Sequence, residues 1–313
     1  MKEKIEAMFL GLAIGDALGV PVEFTSRFEL EQNPVTNMLE FGSHNQPKGT
    51  WSDDSSLTFC LAESLLNVYK PKDIAIKFAK WYSENYWTAG GEVFDVGIAT
   101  SKAISSFIKG TSATLAGGRG EFDNGNGSLM RISPLAFYVK DFSIEKRFDI
   151  IKEVSSITHG HIRAVISCFI YIEFLLELMK GIEKLKAYKS TQQNINEFLD
   201  NNPICSEKEI HIFERLLKIS INSLKKEEIS SSGYVVHTLE ASLWSFLTSN
   251  NYKEATLKAV NLGEDTDTTA CVTGALAGLY YGLETVPKEW INQLARVEDI
   301  KVLAEKFAKK YGK

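Results

Sequence analysis

Apolar residues recur at helical spacing along most of the chain. After Pro71, the residues Ile74, Phe78, Trp81 and Tyr82 fall on one face of a helix. Proline suits the first turn of that helix, where its missing N–H group is not needed. No series of alternating apolar and polar positions indicates strands, so the pattern predicts an all-α fold of a dozen or more helices. Further helices are predicted near residues 93–108, 145–157, 161–180, 208–225, 234–248, 252–262, 267–282 and 296–311.

Two of the predicted helices carry glycine at every fourth position. The glycines are Gly11, Gly15 and Gly19 near the N-terminus, and Gly274, Gly278 and Gly282 near the C-terminus. Glycine inside a helix costs roughly 0.5–1 kcal/mol relative to alanine, so three on one face indicate that backbones approach closely there. We expect these two helices to pack at the centre of the fold and to present their polar ends at one site.

The pattern predicts one domain over residues 1–313, because no linker and no repeat of 20–50 residues interrupts it. Residues 183–232 are the most polar stretch, and they lie between two more apolar helices. We interpret this stretch as a peripheral helical excursion from the domain.

Composition and charge narrow the function classes. Apolar residues make up 44% of the chain, enough for a large core. The net charge of -5, from 35 basic and 40 acidic residues, argues against a general nucleic-acid binder. Asp16 interrupts the apolar N-terminal segment, so no secretory signal is expected. No window approaches ~18 uncharged apolar residues, so we expect no membrane span and a cytoplasmic location.

Two acidic segments each precede an apolar helix. They are Ser52-Asp53-Asp54 and Asp265-Thr266-Asp267-Thr268. Helix capping explains one or two such residues. Four carboxylates in one site would repel one another unless divalent cations neutralised them, and ligand sets made only of oxygen suit Mg²⁺ or Mn²⁺. From the spacing alone, capping and a two-metal site both remain open.

A glycine-rich segment, residues 123–131, precedes an apolar run that ends at Phe137. Glycines before a helix expose backbone N–H groups that can hold a phosphate, although an ordinary turn before a helix gives the same pattern. The segment is not a P-loop, because no Gly-Lys-Ser/Thr follows it. The His159-Gly160-His161 sequence is only a weak indication of a metal pair.

Together these segments resemble the ADP-ribosylglycohydrolase family, which includes the dinitrogenase reductase-activating glycohydrolases and the ADP-ribosylarginine and ADP-ribosylserine hydrolases. The matching segments cover nearly the whole chain in the family's order. They are GLAIGDALGVPVEF (11–24), GTWSDDSSLTFCLAESL (49–65), VFDVGIATSKAI (93–104), NGNGSLMRISPLA (124–136), ITH (157–159), GYVVHTLEASLWSF (233–246) and LGEDTDTTACVTGALAGLYYG (262–282).

The resemblance implies a single compact multi-helix domain with a dinuclear Mg²⁺ or Mn²⁺ site at its centre. The implied metal ligands are Ser52, Asp53, Asp54, Asp265, Asp267 and Thr268. Ser52 stands where many relatives have threonine, and the hydroxyl is kept. The implied substrate-binding residues are Glu23, Gly97, Asn124, Gly125, Asn126, Gly127, Ser128 and His159, with Tyr234 and Val235 near the adenosine.

The activity implied by the resemblance is hydrolysis of the glycosidic bond at the distal ribose of ADP-ribose. The substrate would be an ADP-ribosylated protein or small molecule, with an arginine-type or another protein adduct as the linkage. The candidate catalytic residues are Glu23, Asp54, Asp265 and Asp267, one of them as general base. Two alternatives remain: another dinuclear metal hydrolase that cleaves a nucleotide phosphoester, and a non-catalytic ADP-ribose-binding or structural member of the family.

Overall fold

The computed structural model describes residues 1–312, which form helices and no β-strand, so the predicted all-α fold is confirmed. The helices are α1 (Lys2–Gly19), α2 (Arg27–Gln32), α3 (Asp53–Leu65), α4 (Pro71–Glu84), α5 (Ile98–Ile108), α6 (Leu135–Val139), α7 (Ile144–Ser155), α8 (Ile162–Met179), α9 (Lys184–Asn201), α10 (Glu207–His211), α11 (Glu214–Leu217), α12 (Val235–Leu247), α13 (Tyr252–Val260), α14 (Thr266–Tyr281), α15 (Lys288–Gln293) and α16 (Val297–Tyr311).

The two glycine-bearing helices, α1 and α14, pack against each other backbone to backbone. A Cβ atom on Gly15 would lie 2.1 Å from the carbonyl oxygen of Ala270, and one on Gly274 would lie 2.3 Å from that of Gly11. No side chain fits at these positions, so the expectation of a central helix pair is confirmed. Gly282 is the exception, because it ends α14 with φ +84° and lies outside this contact.

By length and composition, Lys2–Val22 would qualify as a membrane-spanning helix, contrary to the expectation from the sequence. However, 89% of its apolar window is buried inside the fold. The same apolar surface that would face lipid is in contact with α14, α16 and α3. In this structure the segment is therefore the core helix of the domain.

Around the central pair, α3, α12, α13 and α16 pack directly on α1 or α14, and α8 lies against α12 and α14. Helix α8 is buried along nearly its whole length, with α7 and α9 covering its outer side. This arrangement leaves the N-terminal ends of α3 and α14 at one side of the core.

The predicted helix over residues 208–225 is wrong as a continuous element. The chain instead forms α10, α11 and the 3₁₀ turns Ile221–Ser223 and Lys226–Glu228. Side-chain amides of α9 explain the breaks. Gln192 donates hydrogen bonds of 2.9 Å to the carbonyl oxygens of Leu216 and Ile219. These bonds replace the intrahelical hydrogen bonds that the two carbonyl oxygens would accept in a continuous helix.

Candidate active site

The N-terminal ends of α3 and α14 bring both acidic segments together. Ser52 caps α3 by accepting a hydrogen bond from the N–H group of Asp54, at 3.3 Å. The hydroxyl of Thr268, in the first turn of α14, donates to the Asp54 carboxylate at 3.2 Å. Asp265 and Thr268 line one cleft with Asp53. The residues at the starts of α3 and α14 therefore belong to helix N-termini and also form one acidic cluster, because the two helix ends meet.

These carboxyl groups are buried close to one another, and this changes their acidity. Burial raises the pKa of Asp265 to about 6. The pKa values of Asp53, Asp54 and Asp267 are raised well above the ordinary range, first by burial and then by neighbouring carboxylates. Repulsion of this kind disfavours the ionised forms unless positive charge is supplied.

Two buried carboxylate oxygens in the cluster have no hydrogen-bond partner within residues 1–312. They are Oδ1 of Asp265 and Oδ2 of Asp267. One oxygen of each of these aspartates lies within 4.8 Å of the other and of an oxygen of Glu23. Unpartnered anionic oxygens in a buried site are costly in the absence of a cation. The donor set, carboxylates with Ser52 and Thr268 hydroxyls, therefore fits hard divalent cations.

Asp16 is an acidic residue next to the cluster that the sequence analysis did not single out for the site. It lies on α1, is fully buried, and accepts hydrogen bonds from the N–H of Ser52 at 2.9 Å and from the N–H and hydroxyl of Ser55 at 3.0 and 2.6 Å. Burial raises its pKa to about 6. Asp16 thereby fixes the start of α3 against α1. Its signal in the sequence was a single acidic residue inside the apolar run GLAIGDALG.

Glu23 follows the 3₁₀ turn Val20–Val22 and faces the same cleft. Burial raises the pKa of its carboxyl group to about 7. The adjoining loop is tied to the segment before α14, since Phe24 donates to Glu264 at 2.7 Å and Glu264 donates back to Thr25 at 2.8 Å. This reciprocal pair holds Glu23 beside the aspartates.

Asp95 is a second acidic residue that the sequence analysis did not single out. It lines the cleft in the segment before α5, with φ +51°. The predicted helix over residues 93–108 begins only at Ile98, and residues 95–97 line the cleft instead of forming a helical turn. Gly97 directly precedes α5. Among the described residues, no side chain caps the N–H groups of the first turn of α5, which also lie at the cleft.

The cleft has a volume of about 440 Å³ and is partly open to solvent. Its acidic end is lined by three of the metal-ligand candidates, Asp53, Asp265 and Thr268, and its other side is formed by the glycine-rich segment and the start of α5. The other three candidates, Ser52, Asp54 and Asp267, are buried and do not line the cleft. Three exposed apolar residues stand at its rim, Phe24, Ile98 and Phe122. The cleft therefore combines an acidic end, backbone N–H groups and an apolar rim.

The glycine-rich segment is paired with residues 233–235. Asn126 donates its backbone N–H to Gly233 at 3.1 Å, and Val235 donates to Asn124 at 3.0 Å. The side-chain amide of Asn126 also donates to Oδ2 of Asp265 at 2.9 Å. The segment is thus joined directly to the acidic cluster. It does not lead straight into a helix as expected, because the next helix, α6, begins only at Leu135.

His159 packs against the glycine-rich segment in the cleft wall. A Cβ atom on Gly127 would lie 2.7 Å from Cε1 of His159, so any larger residue there would collide with the ring. Burial, together with nearby Arg131, lowers the pKa of His159 to about 3. The imidazole is therefore neutral at physiological pH. Its Nδ1 atom forms a hydrogen bond of 2.8 Å with the hydroxyl of Thr158.

Four of the expected substrate-binding residues do not line the cleft. The Ser128 hydroxyl is buried and accepts a hydrogen bond from Ser155 at 3.0 Å. Val235 is fully buried as the first residue of α12. The backbone of Tyr234 forms an isolated antiparallel β-bridge with Gly125, while its ring packs edge-on against His237. These residues shape the cleft from behind or from one side.

Asn124 is also buried, and its side-chain amide donates to the backbone oxygen of Glu121 at 2.7 Å. Its own side-chain oxygen has no hydrogen-bond partner within residues 1–312. Glu23, Gly97, Gly125, Asn126, Gly127 and His159 all line the cleft.

Comparisons with known proteins identify the family of this chain. The family model described as ADP-ribosylglycohydrolase matches residues 1–313. ADP-ribosylarginine hydrolase Tri1 of Serratia proteamaculans (strain 568) is 32% identical over 312 residues, which cover 97% of this chain and 79% of that protein. ADP-ribosyl-[dinitrogen reductase] glycohydrolase of Rhodospirillum rubrum is 26% identical over 308 residues, which cover 95% of this chain and 90% of that protein.

A solved structure titled ADP-ribosylglycohydrolase-related protein complex shares the fold, with a TM-score of 0.81 and 30% sequence identity. The similarity covers 98% of both chains. The chain therefore belongs to the ADP-ribosylglycohydrolase family and is a hydrolase that acts on ADP-ribosyl linkages.

Proposed function

We propose that this protein removes ADP-ribose from arginine side chains of modified proteins, and that it uses two Mg²⁺ or Mn²⁺ ions. The observation that carries the metal requirement is the pair of buried, unpartnered oxygens on Asp265 and Asp267. The arginine linkage is supported by the name of the Serratia proteamaculans relative at 32% identity. The cytoplasmic location expected from the sequence stays a prediction.

The metals would be held by the oxygens of six residues from two helix ends. They are Ser52, Asp53, Asp54, Asp265, Asp267 and Thr268. When bound, such ions lower the pKa of a bound water and can orient the hydroxyl groups of a sugar. Asp16 supports this set from behind, because it fixes the N–H groups of Ser52 and Ser55 at the start of α3.

Glu23 is our candidate general base. Its carboxylate lines the cleft, and one of its oxygens lies within 4.8 Å of oxygens of Asp265 and Asp267, where an acceptor for the proton of the attacking water is needed. In the proposed reaction, Glu23 accepts a proton from the attacking water. The water oxygen bonds to the anomeric carbon of the distal ribose while the bond to the arginine nitrogen breaks. The released guanidine nitrogen takes up a proton, which restores the intact arginine.

The rest of the cleft would hold the ADP moiety. Backbone N–H groups of the glycine-rich segment and of the first turn of α5 suit the pyrophosphate. The fully exposed ring of Phe122 at the rim offers an apolar face to the adenine. Binding energy from these remote contacts would orient the distal ribose at the acidic end.

A release assay with defined linkages tests this proposal. The substrates are one protein ADP-ribosylated on arginine, one ADP-ribosylated on serine, and ADP-ribosylated DNA, each with Mg²⁺ or Mn²⁺. We expect free ADP-ribose and intact arginine from the first substrate, at a rate well above the others. Release from serine or DNA alone would contradict the arginine assignment. Production of AMP from any substrate would instead indicate attack at phosphorus, with cleavage of the pyrophosphate bond.

A further inference from the structure

A strained hairpin over residues 41–46 lies against the turn that carries Glu23. Phe41, Gly42 and Asn45 all have positive φ, at +63°, +55° and +52°. Such conformations in non-glycine residues persist only where the surroundings enforce them. A Cβ atom on Gly42 would lie 1.8 Å from the carbonyl oxygen of Pro21, so the hairpin backbone is in direct contact with this turn.

This hairpin holds Glu23 at two points. The hydroxyl of Ser43 donates to the backbone oxygen of Glu23 at 2.5 Å. The imidazole Nε2 of His44 forms a hydrogen bond with Oε2 of the Glu23 carboxylate. Within residues 1–312, no group donates a hydrogen bond to the other oxygen, Oε1. One carboxylate oxygen is therefore fixed and the other is left available.

The His44 ring is itself held in place. It lies between two aromatic rings, with centroids 5.9 Å from Phe24 and 5.3 Å from Phe94. Its side chain is 14% exposed, and Asp95 lies close to both His44 and Glu23. The imidazole therefore has little freedom to leave the carboxylate. His44 also falls between residues 11–24 and 49–65, outside every segment by which the sequence resembles the family.

We propose that His44 is a positioning residue for the Glu23 carboxylate. By donating from Nε2 to Oε2, it directs Oε1 to the cleft as the oxygen that takes the proton from the attacking water. This inference rests on the proposed role of Glu23 as general base. It adds a residue that acts through Glu23 and does not itself contact substrate.

Two substitutions separate the hydrogen bond from the packing. His44→Phe keeps a ring between Phe24 and Phe94 but has no N–H donor. His44→Gln loses the ring and keeps an amide donor. Because a hydrogen bond to a charged group contributes about 1.5–3 kcal/mol, we expect kcat of His44→Phe to fall roughly 10- to 100-fold. ADP-ribose affinity by calorimetry should change less than about twofold, and His44→Gln should recover most of the turnover.

Glu23→Gln and the double variant complete the test. If His44 acts only through Glu23, adding His44→Phe to Glu23→Gln should cause no further loss of kcat. Normal turnover in Glu23→Gln would overturn the base assignment itself. Slow turnover of Glu23→Gln together with normal turnover of His44→Phe would overturn the His44 inference alone. Equal losses in His44→Phe and His44→Gln would also overturn it, since the donor would then not be what matters.

Discussion

The hydroxyl of Thr268 lies 3.2 Å from the carboxylate of Asp54, although 214 positions separate them in the chain. This contact joins the first turns of α14 and α3. The contact is possible because the glycines of α1 let its backbone pack directly against that of α14. In addition, Asp16 of α1 accepts a hydrogen bond from the N–H of Ser52 at the start of α3. The acidic site is thus a consequence of how three helices meet.

Replacing Asp267 tests whether the cluster serves catalysis. In the metal-free protein, the ionised Asp267 carboxylate is disfavoured by burial and by Glu23 and Asp54. Asp267→Asn should therefore unfold no more easily than the wild type without metal, and it should gain less thermal stability when Mn²⁺ is added. Turnover should fall at least roughly 100-fold, more than the 10- to 100-fold loss typical of residues that only support ligands.

The measurement is thermal unfolding with and without Mn²⁺, beside the release assay. Asp149→Asn is a matched control, because Asp149 is exposed on α7 and should affect neither result. If Asp267→Asn unfolded far more easily without metal while Asp149→Asn did not, the carboxylate would have a structural role.

A single methyl group tests the central helix contact. Gly15→Ala places a Cβ atom 2.1 Å from the Ala270 carbonyl oxygen, and neither helix backbone can move without disturbing the other. We expect the free energy of unfolding to fall by roughly 3 kcal/mol or more. Gly90→Ala is the control, since no atom of residues 1–312 lies within 4 Å of its added Cβ. Equal stability of the two variants in urea unfolding would contradict the close packing.

Glu23→Gln should separate binding from chemistry. The amide keeps the shape of the side chain and cannot accept the proton, so turnover should fall by a factor on the order of 10² or more. ADP-ribose affinity should stay within roughly tenfold, because Glu23 is not the main contact of the ADP moiety. Calorimetric binding and single-turnover release measure the two effects. Unchanged turnover would move the base role to one of the site aspartates.

His159 should make stability fall with decreasing pH. Its pKa in the folded protein is about 3, below the ~6.5 of an exposed imidazole. The unfolded chain therefore binds a proton first, so the stabilisation is complete above about pH 6.5 and is lost as the pH falls towards about 3. Between pH 7.5 and 4.5, the wild type should lose roughly 2–3 kcal/mol more than His159→Gln does.

Urea unfolding of both proteins at several pH values measures this difference. Parallel pH dependence of the wild type and His159→Gln would show that the imidazole is not buried in its neutral form.

The sequence was informative where a pattern repeats or a residue type is out of place. Helical periodicity predicted α4, α7, α8 and α14 to within a few residues. Glycine spacing predicted the central pair, because only glycine permits that distance between backbones. The two acidic segments stood out since each has two carboxylates at most two positions apart, just before an apolar helix.

The site residues that the sequence analysis missed owe their positions to tertiary contacts. Asp16 looked like one polar residue in a helix, and only the position of α3 reveals its three hydrogen bonds. Asp95 and His44 lie in irregular segments with positive φ residues, for which no periodic pattern exists. Ser128 was expected at the substrate because it lies in a segment that resembles the family's substrate cleft, whereas its hydroxyl is buried against Ser155. Side-chain direction in a loop is set by packing that the sequence does not display.

Metal titration of the stripped enzyme tests the central claim most directly. The protein is treated with chelator and then titrated with Mn²⁺, while release of ADP-ribose from an arginine-modified protein is followed. We predict no release without metal and full release once about two equivalents are bound, the stoichiometry of a two-metal site. Full release by the stripped protein, with no response to added Mn²⁺ or Mg²⁺, would contradict the account.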